Sequence, residues 1–134
     1  MNQKIVRAVQ RIANGSDEKL TLGNIDVKKE FNYAGDMVEA VWTMVNQDKV
    51  FEVVLGCGKA YSIRQWVDYC FSKINKRWQD HVVLRDDYIP EYDILLSDPT
   101  LLYSLAWAPK VDFYQLADLM MNENNLLADN CQTT

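Results

Sequence analysis

The sequence predicts a single-domain α/β fold. Amphipathic helical patterns alternate along the chain with short runs rich in β-branched residues, and no internal repeat or low-complexity stretch is present. A length of 134 residues is typical of one domain, and a chain of this size buries about two-thirds of its unfolded surface on folding. The predicted strands are too few for a complete doubly wound sheet and no GxGxxG motif is present, so the pattern indicates a small layered domain or a part of a larger one.

Composition and charge argue against several classes of protein. The formal net charge of -5 disfavours a nucleic acid or a membrane surface as partner, because either favours a basic face. No apolar run approaches the roughly 20 residues that span a bilayer, and the N-terminal segment lacks the apolar core of a signal peptide. Cys57, Cys70 and Cys131 are widely spaced, which favours free thiols in a reducing cytoplasm. There is no CxxC pair and His81 is the one histidine, so we predict no metal site.

Helices are predicted from apolar periodicity and from capping residues. Ile5, Ala8, Val9 and Ile12 recur at helical spacing, which predicts a helix over 2–13. Ser62 is a favoured N-cap residue, so a second helix is expected to begin there and to run to residue 74. Further helices are predicted over 33–46, 98–105 and 113–122. The apolar face of the helix over 33–46 consists of Val38, Val41, Trp42 and Val45.

Strands are predicted where β-branched residues alternate or cluster. Residues 19–22 and 25–31 are expected to be extended, and the Gly-Asn pair between them predicts that they form a hairpin. Residues 50–55 (VFEVVL) have the composition of a buried strand. Shorter extended pieces are predicted over 81–84 and 92–96. The ordered region is predicted to end at residue 124, and a disordered tail is predicted over 125–134.

Two stretches have features of a phosphate-binding site. Residues 56–59 (GCGK) lie between a predicted strand and a helix, but Ala60 follows where a phosphate-binding loop has Ser or Thr, so a plain turn is favoured. Lys28 and Lys29 precede the predicted start of a helix, where a cation and free backbone amides together bind phosphate well. The alternative for the two lysines is a solvated hairpin.

Several collinear motifs resemble one enzyme family. Residues 22–31 (LGNIDVKKEF) and 36–42 (DMVEAVW) resemble the LGNLDAKRDW and DYVEAMW segments of GDP-mannose 4,6-dehydratases. These are nucleotide-sugar enzymes of the extended short-chain dehydrogenase/reductase class. Residues 61–67 (YSIRQWV) resemble their HSVREFV segment, while 95–100 (LLSDPT) and 105–111 (LAWAPKV) resemble LLGDPT and LGWKPKV. The matches follow one another in order over most of the chain.

This resemblance implies a fold and a role for the chain. It implies a small α/β substrate-binding subdomain of an extended short-chain dehydrogenase/reductase-like fold, without the N-terminal Rossmann nucleotide-binding portion. Residues 1–124 would be its C-terminal nucleotide-sugar-binding region. In a whole enzyme of the family, NADP carries the hydride while the hexose is oxidised at C4, loses water across C5 and C6, and regains the hydride at C6.

The resemblance also implies that the isolated chain lacks activity. The family's glycine-rich NADP loop is absent from the sequence. Tyr69 and Lys73 have the spacing of the family's catalytic Tyr-x-x-x-Lys pair, but they fall on a different helix, so we interpret the match as coincidence. We therefore expect no catalytic residue and no cofactor in this chain, with NADP bound only when the Rossmann portion is present.

Substrate-binding positions carry over from the family motifs. Lys29 aligns with a family arginine that contacts the nucleotide diphosphate. Lysine keeps the positive charge but lacks the bidentate geometry of a guanidinium. Glu91 falls on a glutamate that binds the ribose or nearby groups. Tyr88 falls on a second family arginine, and Arg85, three residues upstream, could replace it. The loop before residue 25 borders the nucleotide base. The positions that the resemblance assigns to the substrate site are Leu22, Asn24, Lys29, Arg85, Tyr88 and Glu91.

These observations lead to one expectation and two alternatives. We expect the substrate-binding part of a GDP-mannose 4,6-dehydratase-like protein, with GDP-mannose or a similar nucleotide sugar as its ligand. One alternative is a degenerate, non-catalytic module that binds a nucleotide sugar or another protein. The other is a fragment of a related nucleotide-sugar epimerase. Without a Rossmann portion, the face that normally packs on it would expose apolar surface and favour self-association or a partner chain.

Overall fold

A computed structural model describes residues 1–87 and 89–129, with the backbone alone described over 123–129. The described residues form a mixture of helices and short strands, which confirms the predicted α/β class. The helices are α1 (Asn2–Ala13), α2 (Ala34–Val45), α3 (Ile63–Ser72), α4 (Thr100–Tyr103) and α5 (Phe113–Asp129), with a 3-10 helix over Trp78–Asp80. The strands are β1 (Leu20–Leu22), β2 (Lys28–Glu30), β3 (Ala60–Ser62), β4 (Val82–Leu84) and β5 (Ile94–Leu95). None of the described helices is long and apolar enough to cross a bilayer.

The main core lies between α1, α3 and α5. Helix α1 has the predicted bounds, and its apolar stripe, which includes Ile5 and Ile12, is buried. Helix α3 begins after the predicted N-cap: the Ser62 hydroxyl accepts a hydrogen bond from the Gln65 amide at 3.1 Å, and the Gln65 side chain accepts one from the Ser62 amide at 2.8 Å. This reciprocal capping box satisfies two amides that a helix start leaves unpaired. Phe113 of α5 completes the core between these helices.

The strands belong to two small sheets. Strand β1 pairs in parallel with β4, whereas β2 lies between antiparallel β3 and parallel β5. The predicted hairpin is therefore wrong. The carbonyls of Ile25 and Val27 accept hydrogen bonds from the amides of Arg64 and Ile63 at 2.7 and 3.2 Å. The chain between β1 and β2 thus pairs with the start of α3, because its two apolar side chains are buried in the core there.

Helix α2 lies outside the main core in a small second cluster. On its inner side Ala40 is buried against Leu102 and Trp107. Residues 50–55 form no strand, and Phe51 is 83% exposed. The prediction of a buried strand is wrong because β-branched residues form strands by packing beside a partner strand, and no described strand pairs with this segment. The predicted apolar face of α2 is exposed in the same way, at Val38, Val41, Trp42 and Val45.

Helix α5 extends further than the sequence predicted. It runs to Asp129 rather than ending near residue 122. Residues 125–129, which were predicted to begin a disordered tail, are therefore helical. Residues 130–134, including Cys131, lie outside the described part of the chain.

Candidate functional site

A cavity of about 580 Å³ lies where α1, β1, β2 and the start of α3 meet the segment after β4. Its volume is within the range of small-molecule sites, roughly 300–1,000 Å³. Tyr88 of the predicted site lies outside the described residues. The other predicted positions all line this cavity: Leu22, Asn24, Lys29, Arg85 and Glu91. Positions far apart in the sequence are therefore brought around one space.

Lys29 presents a cation to the cavity from β2. The strand places it opposite Tyr61 of β3 and Leu95 of β5. The side chain is half-buried, and burial lowers the pKa of its ammonium group. Its Nζ lies 5.3 Å from the centre of the Phe31 ring, and no described carboxylate is within ion-pair distance of it. A half-buried cation without a carboxylate partner is well suited to bind an anionic ligand.

The loop after β1 forms one wall of the cavity. Leu22 is buried and pairs with Leu84 across the sheet, so it supplies an apolar surface. The Asn24 side-chain oxygen accepts a hydrogen bond from the Asp26 amide at 2.8 Å. This contact fixes the turn and leaves the side-chain NH₂ of Asn24 as a donor for a ligand.

Arg85 and Glu91 approach the cavity from the segment after β4. The Arg85 amide donates to the Leu22 carbonyl at 2.8 Å, which extends the pairing of β1 and β4 by one residue. The Arg85 guanidinium donates to both carboxylate oxygens of Asp87, from Nε at 2.9 Å and from Nη2 at 2.6 Å. These hydrogen bonds hold the pKa of the Asp87 carboxyl below its usual range. Glu91 is exposed and lines the cavity beside Pro90.

Lys4 is a lining residue that sequence reasoning missed. It lies on α1 directly before the buried Ile5, and its ammonium group donates to the Thr21 carbonyl at 2.9 Å. In the sequence, the one available clue to Lys4 was its position beside the apolar stripe of α1. Such a position does not predict that a residue lines a cavity. Among the described residues that line the cavity, the charged side chains are those of Lys4, Lys29, Arg85 and Glu91. The excess of cations, in a chain of net charge -5, favours an anionic ligand.

The glycine turn 56–59 is occupied by an internal carboxylate. The amides of Cys57 and Gly58 donate to the carboxylate of Glu30, at 3.2 and 2.9 Å. These amides are therefore not available to the pyrophosphate of a dinucleotide, so the turn does not fit NADP. The geometry agrees with a plain turn at this position.

Tyr69 and Lys73 connect two helices outside the cavity. The Tyr69 hydroxyl lies 3.1 Å from both carboxylate oxygens of Asp118, and the Lys73 ammonium lies 2.9 Å from one of them. This contact joins α3 to α5. Neither Tyr69 nor Lys73 lines the cavity that contains the predicted site residues.

Comparison with solved structures identifies the fold. RMD from Pseudomonas aeruginosa complexed with NADPH aligns with a TM-score of 0.76 and 18% identity, over 89% of this chain and 41% of that chain. UDP-glucose 4-epimerase from Thermus thermophilus, in complex with NAD, aligns with a TM-score of 0.67 and 18% identity, over 89% of this chain and 39% of that one. The fold is thus part of the extended short-chain dehydrogenase/reductase fold.

Sequence comparison identifies the family. The family model for GDP-mannose 4,6 dehydratase matches residues 1–120. GDP-mannose 4,6 dehydratase 1 of Arabidopsis thaliana is 35% identical over 131 residues, which are 96% of this chain and 36% of that protein. The chain belongs to the GDP-mannose 4,6-dehydratase family and spans little more than a third of the length of this relative, which confirms the resemblance seen in the motifs.

Proposed function

We propose that the cavity binds the nucleotide diphosphate of a nucleotide sugar, GDP-mannose or a close analogue. The observation that carries the proposal is the half-buried ammonium group of Lys29, which has no described carboxylate partner and lies in the cavity where the predicted positions converge. In this proposal Lys29 contacts the phosphates. Glu91 accepts hydrogen bonds from the ribose hydroxyls, since a carboxylate offers acceptors alone. Leu22 and Asn24 border the base, and Arg85 lies on the phosphate side.

Titration calorimetry with GDP-mannose and GDP tests this proposal. Lys29→Ala should weaken binding about tenfold or more, because it removes a charge-assisted hydrogen bond to phosphate. Lys28→Ala is a matched control: Lys28 is the preceding residue of the same strand, it is exposed, and it does not line the cavity. Glu91→Ala should weaken binding of GDP and leave binding of inorganic pyrophosphate unchanged. Equal affinities of the Lys29 and Lys28 variants would contradict the assignment.

We further propose that this chain alone has no dehydratase activity and binds no NADP. When bound to a whole enzyme of the family, NADP supplies the hydride transfer. The occupied glycine turn supports this part of the proposal, since Glu30 already holds its amides. Fluorescence titration with NADPH and an assay for GDP-4-keto-6-deoxymannose test it. Binding of NADPH or turnover by the purified chain would overturn it.

A second candidate function, as a protein-interaction module, is favoured by the exposed apolar face of α2. Trp42 and Val38 are each 69% exposed, and Phe51 nearby in the sequence is 83% exposed. Large exposed apolar patches mark association surfaces. We propose that this surface packs on a Rossmann portion, and that it drives self-association when that portion is absent. Sedimentation at rising protein concentration should show association in the wild type that Trp42→Ser reduces; a concentration-independent monomer would contradict the proposal.

We also propose a cytoplasmic location. Cys57 and Cys70 are free thiols, and Cys70 is fully buried, where burial raises its pKa to about 12. Thiols without disulfide partners persist in reducing compartments. Fractionation of cells that express the chain, with an antibody against it, tests this point.

A further inference from the structure

The segment after β4 carries two acidic residues directly behind the arginine that lines the cavity. The backbone of Arg85 is fixed by its hydrogen bond to the Leu22 carbonyl. Its guanidinium uses Nε and Nη2 on the carboxylate of Asp87. A guanidinium binds phosphate oxygens through the same paired N–H groups. Asp87 therefore occupies an edge of Arg85 that a ligand phosphate would use.

We propose that Asp87 limits the affinity of the cavity by competing with the ligand's diphosphate for Arg85. The inference rests on the function proposed above and adds a residue that sets the strength of binding. The Arg85 and Asp87 side chains are 59% and 67% exposed. Exposed ion pairs are weak because water and salt screen them. A multiply charged diphosphate can displace such a carboxylate, so the contact reduces affinity without preventing binding.

The net charge of residues 85–87 also lowers the affinity for an anionic ligand. Arg85 is followed by Asp86 and Asp87, so these three residues carry one positive and two negative charges. Asp86 is exposed, and no described residue forms an ion pair or a side-chain hydrogen bond with it. Removal of either carboxylate changes the local charge equally, but only removal of Asp87 releases the guanidinium. A comparison of variants at the two aspartates therefore distinguishes direct competition for Arg85 from general repulsion of the ligand.

Titration of the full chain with GDP tests the inference. Asp87→Asn should tighten GDP binding about two- to fivefold, because the ligand's phosphate then no longer has to displace an exposed ion pair from the guanidinium. Asp86→Asn, the matched control, should tighten it by less than about twofold, since a single exposed charge acts through screened repulsion. In an Arg85→Ala background the two aspartate variants should bind GDP equally. Urea unfolding of each variant checks that the fold is unchanged.

Distinct results would overturn the inference and the underlying function. If GDP binding depends on Lys29 but Asp87→Asn and Asp86→Asn change the affinity for GDP equally, Asp87 does not compete for Arg85. The inference is then wrong and the proposed function stands. Weaker binding by Asp87→Asn would show that Asp87 orients Arg85 for the ligand, which also overturns the inference. Absence of GDP binding in every variant would overturn both proposals.

Discussion

The carboxylate of Glu30 accepts two hydrogen bonds from Ser97, one from its amide at 3.0 Å and one from its hydroxyl at 2.6 Å. The same carboxylate accepts hydrogen bonds from the amides of Cys57 and Gly58. Glu30 thus joins the end of β2 to two segments that are distant in the sequence. A Cβ atom at Gly56 would overlap both the Ser97 hydroxyl and the Glu30 carboxylate, so this close packing requires glycine there. The neighbouring Lys29 extends into the cavity from a strand whose end is held by these contacts.

We expect Glu30→Gln to destabilise the fold by about 1–3 kcal/mol, because a carboxamide presents one acceptor oxygen where five N–H and O–H donors now converge. The substitution would weaken the hydrogen bonds that Glu30 accepts from Ser97 and from the glycine turn. Urea unfolding followed by circular dichroism measures the effect. Glu52→Gln is the control, since Glu52 is exposed on the irregular segment 50–55. Equal midpoints for the two variants would show that the hydrogen bonds to Glu30 contribute little.

The contribution of Glu30 to the free energy of unfolding should depend on pH. Burial alone would raise the pKa of this carboxyl, but the hydrogen bonds from Ser97, Asn32 and Cys57 outweigh burial and lower it. The unfolded state therefore binds more protons at this group, so its stabilisation is present above the ordinary glutamate pKa of about 4.3 and is lost as the pH falls through the lowered value. The difference in unfolding free energy between wild type and Glu30→Gln should shrink below about pH 4. A difference that stays constant from neutral to acidic pH would contradict this assignment.

Local signals predicted the elements that depend on local contacts. The spacing of Ile5 and Ile12 predicted α1, and Ser62 as an N-cap residue predicted the start of α3. The pairing of β1 was not predictable in this way, because Leu20 lies opposite Val82, far along the chain. The segment 50–55 shows the converse. Its composition is typical of a strand that packs beside another strand, but no described strand lies beside it.

The site was less predictable than the fold. Lys29 and Glu91 were singled out through the family motifs, since neither periodicity nor composition brings residues of β2 and of the segment after β4 to one cavity. The cation Lys4 has no motif around it and was missed. The contact of Asp87 with Arg85 was also missed, because an acidic pair in a loop has the same composition whether it is solvated or holds a guanidinium.

The capping box of α3 gives a prediction about the stability of the fold. We expect Ser62→Ala to lower the unfolding free energy by about 1 kcal/mol, since the amide of Gln65 loses its acceptor. Ser62→Thr keeps the hydroxyl and should retain most of the stability. Both variants can be compared by urea unfolding. A loss of stability with threonine as large as that with alanine would show that crowding at this position, and not the hydrogen bond, sets the stability.

Asp36 should hold α2 to the segment that precedes α5. Its buried carboxylate, 3% exposed, accepts hydrogen bonds from the amides of Lys110 and Val111 at 3.1 and 3.0 Å. Asp36→Asn should destabilise the protein by about 1–3 kcal/mol, because a neutral carboxamide is a weaker acceptor for two converging amides and adds a donor that needs a partner. Hydrogen exchange should become faster at those two amides before it does in the main core, since α2 packs in the small second cluster and not in the main core. Asp17→Asn, an exposed control, should leave both measurements unchanged, and equal exchange rates at Lys110 and Val111 in the two variants would contradict the role of Asp36.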